Sequence, residues 1–119
     1  MRQLPFIAVL SLLGAAPVLA QDAVKVDPKH YKVELDNAKV RVLRISYGPH
    51  EKSLMHEHPA SVAIFLTDAK VKFTLPDGKT QEASAKAGSI QWEAGGKHLP
   101  ENTGDKPFEL ILVELKGAK

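Results

Sequence analysis

The chain has 119 residues, 16 basic against 14 acidic side chains, a net charge of +2, and no cysteine. Charges of both signs, interspersed and nearly balanced, leave no electrostatic footprint for nucleic acid. The missing cysteine excludes a disulfide framework and any thiolate-held metal, so the fold must hold by its core alone.

Residues 1–20, MRQLPFIAVLSLLGAAPVLA, carry one basic residue, an apolar run from Phe6 to Leu13, and small residues ending at Ala20. A charged start, a short apolar middle and a small-residue end predict a secretory signal peptide cleaved after Ala20. The protein is then periplasmic or secreted, with residues 21–119 as a single domain. The apolar run falls short of the ~20 residues a membrane span requires, so no membrane association is expected once the leader is removed.

Gln21 to Lys29 is polar with little pattern and is expected to be a loose arm or an edge strand, with His30 on the surface. Lys32 to Leu35 alternates, Asp36-Asn37 turns the chain, and Lys39 to Tyr47 is a strand. Its apolar phase slips between Val42 and Leu43, which predicts a bulge or burial on both faces. Gly48-Pro49 ends it. Ser61 to Thr67 is a β-branched and aromatic run. Val71 to Leu75 and Lys79 to Ala83 alternate on either side of Pro76-Asp77-Gly78, the clearest hairpin in the chain. Ala87-Gly88 leads into a strand through Ile90 and Trp92. Gly95-Gly96 and Thr103-Gly104-Asp105 are turns, and Phe108 to Leu115 closes the series. Short strands at intervals of about ten residues predict an all-β antiparallel sandwich or barrel.

Two histidines stand in the stretch LMHEHPASVAIFL, at His56 and His58. On a strand they project to one face while Glu57 points away; on a helix they would lie about 200° apart. Pro59 and the β-rich run after it favour the strand. Two imidazoles on one face make an incomplete metal site, and His98, which follows the Gly95-Gly96 loop, is the candidate third ligand. Three histidines without thiolate or carboxylate suit zinc, copper, iron or nickel, with manganese less favoured, and leave positions open for water or substrate. The same histidines could instead bind a small ligand without metal. His50, in the loop before the pair, reads either as a fourth ligand or general base or as a solvated loop residue. Gln91 and Trp92 alternate on a strand, so one of them should face inward; with His50 they form the expected ligand pocket. Asn102 is expected to fix a turn through side-chain bonds to the backbone, and Met55 to fill apolar space.

The stretches Gly48-PHEKSLM-His56-Glu57-His58-PASVA and Gly88-SIQW-Glu93-Ala94-Gly95-Gly96-Lys97-His98-LPE-Asn102, with the hairpin between them, resemble the two motifs of a small single-domain cupin. The likeness runs over residues 31–115 and is greatest to small exported bacterial cupins, some labelled as β-alanine degradation proteins. It implies a cupin-type jelly-roll barrel, the double-stranded β-helix, with His56, His58 and His98 on three of the four metal positions. The fourth, a glutamate, would fall at Val62 or Ala63, and neither can bind an ion. The family's proline is Glu93 here, seven residues rather than five separate Gly48 from His56, and the glycine usual near Ala69-Lys70 is absent.

The resemblance therefore implies a divalent transition metal (Zn, Fe, Ni, Cu or Mn), with oxygenase or isomerase chemistry on a small molecule and pairing into a homodimer. Three neutral imidazoles leave the ion's charge of +2 intact, so an anionic ligand is favoured. Two alternatives stay open: a metal-free, non-catalytic cupin binding a small ligand, and a structural role in which dimerisation is the purpose.

Overall fold

The computed structural model describes residues 21–117. The leader expected at residues 1–20 lies outside them. The described residues form nine strands and one short helix, α1 (Ala23–Val26). Strands β1 (Tyr31–Asp36), β2 (Val40–Tyr47), β9 (Phe108–Leu115), β4 (Ser61–Phe65) and β7 (Ile90–Glu93) lie in that order in one sheet. The second sheet has the order β3 (His56–His58), β8 (Gly96–Asn102), β5 (Ala69–Thr74) and β6 (Thr80–Ala85). All of these pairings are antiparallel. The last strand inserts between β2 and β4, which gives the jelly-roll order rather than a simple meander.

Alternation builds the core. Along β9, FELILVEL, residues Phe108, Leu110, Leu112 and Glu114 are buried and the residues between them are half-buried. Cross-strand register carries that phase through the sheet. Leu43 faces Leu112, which faces Ala63; Ile45 faces Leu110, which faces Phe65. These side chains pack with Ala69 and Val71 from the second sheet. The phase slip at Val42-Leu43 has its counterpart on β1. There Val33 faces Leu43 and Leu35 faces Val42, which leaves Glu34 as the extra residue of a bulge.

The N-terminal stretch departs from the expected loose arm. It forms α1, and Asp22, Ala23 and Asp27 are buried. The Glu57 amide donates to the Gln21 carbonyl at 2.8 Å, so this segment covers the edge of β3. His30, expected at the surface, is only 5% exposed. Its ring stacks on Tyr47 with centroids 4.2 Å apart. One ring nitrogen is hydrogen-bonded to Asp27 at 2.7 Å and the other to Glu51 at 2.9 Å. The polar sequence around it conceals this burial, because the partners are themselves charged.

Asn102 ties two loops together, as its turn-fixing reading requires. Its amide donates to the carbonyls of Gly48 (3.0 Å) and Lys106 (2.9 Å), and its Oδ1 accepts from the Gly104 amide at 2.9 Å. The residue is 1% exposed, so truncation strands buried backbone groups. Asn102→Ala is expected to lower unfolding free energy by about 2–4 kcal/mol in urea titration. A loss below about 0.5 kcal/mol would show that these loops are held by other contacts.

Candidate metal centre

Strands β3 and β8 pair so that His56 lies directly opposite His98 and His58 opposite Gly96. Cross-strand partners share a face, and alternation brings His58 to the face of His56. The three side chains therefore converge. Their ligand nitrogens all lie within 4.8 Å of one another, close enough that the three could hold a metal ion. Ring centroids are separated by 4.8 Å for His56 and His58, 4.9 Å for His56 and His98, and 5.4 Å for His58 and His98. His98 sits on strand β8 rather than in a loop. Gly95 makes this approach possible: its φ is +95°, and a Cβ there would lie 2.9 Å from the His58 carbonyl oxygen.

Hydrogen bonds fix which nitrogen is free in two of the rings. His56 Nδ1 donates to the Leu54 carbonyl at 2.9 Å, and His58 Nδ1 donates to Glu114 Oε2 at 2.7 Å. Carbonyl and carboxylate oxygens only accept, so the Nδ1 atoms carry protons and Nε2 is the nitrogen that each of these two rings turns toward the others. Nε2 of His56 and Nε2 of His98 are buried with no hydrogen-bond partner. Burial, followed by the proximity of His58, pushes His56 down to about 4. Burial and then the two neighbouring histidines push His98 down to about 3. Both rings are thus neutral at pH 7, the state in which imidazole binds a metal ion.

Two chains of polar groups support the ligands from behind. The first runs from His58 to Glu114, then to Arg41 Nε at 2.8 Å, and on to Asp22 through the Arg41 guanidinium. The second runs from His56 Nδ1 to Ser53 Oγ at 3.2 Å, whose hydroxyl donates to Asp27, the acceptor for His30. Glu51 ends this chain, its carboxyl lowered to about 2 by the Gly48 amide and His30. Tyr31 packs edge-on to His56 at 4.8 Å, and its hydroxyl bonds that of Tyr47 at 2.6 Å. Burial raises both tyrosines well above the usual phenol range.

A cavity of about 350 Å³ opens in front of His58 and His98. Its walls include Tyr31, Phe65, Phe73, Phe108 and Leu110, and Glu93 stands among its lining residues. The three residues expected to form the pocket do not line it. The His50 side chain is 61% exposed and bonds Asp105 at 2.9 Å. Trp92 is 61% exposed because its register partner is Val62, on the outer face of the sheet. Gln91 shares the inward row of Ala63 but lies on edge strand β7, where it is exposed. At the place of the absent glutamate, Val62 is half-buried on the outer row and Ala63 is buried on the inner one.

Sequence reasoning missed Glu114, Arg41, Asp22, Asp27 and Glu93. Glu114 could have been found, since it occupies the inward phase of FELILVEL. Asp22 and Asp27 carry no comparable pattern.

No family model matches the sequence, and no curated protein does. Solved structures match throughout the domain. A cupin domain protein from Bordetella pertussis Tohama I superposes with a TM-score of 0.68 at 22% identity, covering 73% of this chain and 92% of its own. An RmlC-like cupin with a double-stranded β-helix fold from Methanocaldococcus jannaschii gives 0.56 at 22%, covering 75% and 83%. The polyketide cyclase RemF from Streptomyces resistomycificus gives 0.53 at 16%, covering 71% and 63%. The fold is thus the cupin-type double-stranded β-helix that the motifs imply.

The lowered histidines set a pH dependence for the metal-free protein. In the unfolded chain their pKa returns to about 6.5, so that state binds more protons between roughly pH 6.5 and 3. Stability from the neutral rings is complete above about 6.5 and is lost as pH falls toward the folded values near 4 and 3. Urea unfolding of chelator-treated protein should give a free energy lower by about 2 kcal/mol or more at pH 5 than at pH 7.5. Equal values at the two pH points would contradict buried, neutral rings at His56 and His98.

Proposed function

We propose that the protein is an exported single-domain cupin in which His56, His58 and His98 hold one divalent transition ion, with zinc, iron, nickel, copper or manganese as the candidates. The bound ion serves an oxygenase or isomerase acting on a small anionic molecule. One observation carries the reading: two imidazole nitrogens, Nε2 of His56 and Nε2 of His98, are buried with nothing to bond. An unsatisfied buried acceptor costs roughly 1–3 kcal/mol, and structures rarely keep two beside each other without a partner. A metal ion supplies that partner, and when bound it polarises a coordinated oxygen as a Lewis acid.

The chain's own residues do the rest. Glu114 holds the His58 ring in the tautomer that offers Nε2, and Leu54 does the same for His56. The aromatic wall gives a ligand beside the histidines an apolar surface to pack on. Export is supported by the leader pattern of residues 1–20. Pairing of two copies is supported by edge strand β7, which exposes Ile90 and Trp92. The solved relative described as a polyketide cyclase is an example of this fold in a catalytic role; none of the three is described as degrading β-alanine.

Protein purified without chelator should contain about one transition ion per chain by mass spectrometry, and His56→Ala and His98→Ala should remove it. Equal metal content in the wild type and both variants would overturn the reading. A wild type free of metal and indifferent to added metal would support a metal-free binding protein instead. Glu114→Gln keeps the shape but weakens the support of His58, so metal affinity should fall by roughly 10–100-fold in competition with a chromogenic chelator. An unchanged affinity would show that Glu114 does not orient the ligand.

A further inference from the structure

Glu93 is left unused by the metal reading. It ends strand β7 and faces Ser61 across β4, which puts its side chain in the inner row Arg41–Glu114–Ser61–Glu93. The other members of that row are satisfied. Arg41 and Glu114 pair with each other and with Asp22 and His58, and the Ser61 hydroxyl donates to the Pro59 carbonyl at 2.7 Å. Among the described residues Glu93 has no hydrogen-bond or ion-pair partner, and no lysine or arginine neutralises it. It lines the cavity that also touches His58 and His98, beside walls of Phe65, Phe73 and Phe108. The residue as a whole is exposed, and desolvation on its packed side raises its carboxyl above the ordinary range, against a lowering by nearby His58.

The Gly95 turn explains the placement, because a single corner of chain presses on the His58 backbone and carries both Glu93 and His98. A carboxylate that lines a largely apolar cavity and makes no hydrogen bond or ion pair of its own is available to a ligand's cationic group. Lys97, Gln81 and Ser61 also line the cavity, but apolar and aromatic residues make up most of its wall and suit a hydrocarbon body.

We propose that Glu93 recognises the ligand's ammonium group, and that the site takes a small amino acid-like zwitterion with an apolar side chain. This rests on the metal reading above. The ligand carboxylate lies toward the ion held by the three histidines, the ammonium group against Glu93, and the side chain among the aromatic rings.

The test uses zinc-loaded full chain, with zinc content measured first, and calorimetric titration with leucine and with 4-methylpentanoate, which lacks only the amino group. Wild type should bind leucine roughly tenfold more tightly, as one charged hydrogen bond allows. Glu93→Gln, with metal content and melting temperature confirmed as wild type, should bring the two acids near parity while 4-methylpentanoate binds as before. Wild type that binds both acids alike or neither, or a variant that keeps the leucine preference, overturns the assignment of Glu93 and leaves the metal reading standing. Wild type that takes up no zinc overturns both.

Discussion

The structure turns on one pairing, that of the three-residue strand β3 with β8, because it alone sets His56 against His98. Three residues make a weak strand on their own, with few ladder bonds and an exposed edge. Its position is secured from both sides. Gly95 lets the opposite corner press close to the His58 carbonyl, and the N-terminal segment lies along the other edge. That segment also places Asp22 and Asp27 at points along the two polar chains behind His58 and His56. A short stretch that reads as loose arm is thus built into the support of the site.

The absent glutamate ligand changes the electrostatics more than the geometry. Glu114 brings a negative charge close behind His58 and does not touch the ion site itself. Arg41 offsets that charge and is in turn offset by Asp22. The row of charges is therefore balanced within itself, and an ion on three neutral rings would keep most of its charge for the ligand. In this arrangement burial, aided by the neighbouring histidines, keeps His56 and His98 neutral, which suits them for metal binding and leaves the metal-free protein exposed to acid.

Much of this was legible in the sequence where a period of two could be read. The hairpin at Pro76-Asp77-Gly78, the closing strand FELILVEL and the common face of His56 and His58 all follow from alternation. What could not be read depended on which strands become neighbours. His30 looked exposed because its partners, Asp27 and Glu51, are polar and only folding brings all three together. Glu114 was in plain phase, yet its role required knowing that β9 runs beside the strand that follows His58.

Trp92 shows the same limit from the opposite side and leads to a rule for this domain. Its apolar character suggested the pocket, but the register runs Leu35, Val42, Val113, Val62 and Trp92 across the outer face of all five strands. The next inner row is polar: Arg41, Glu114, Ser61 and Glu93. An antiparallel sheet that turns one face to its core ordinarily places apolar residues inward and polar ones outward. Here both adjacent rows break that order. Polar groups turned inward cost free energy on folding, and they stand beside the three imidazoles, one of which Glu114 orients. The inversion thus sets the row of Arg41, Glu114, Ser61 and Glu93 apart from the rows of Leu43 and Ile45, whose members build the core and the apolar walls of the cavity.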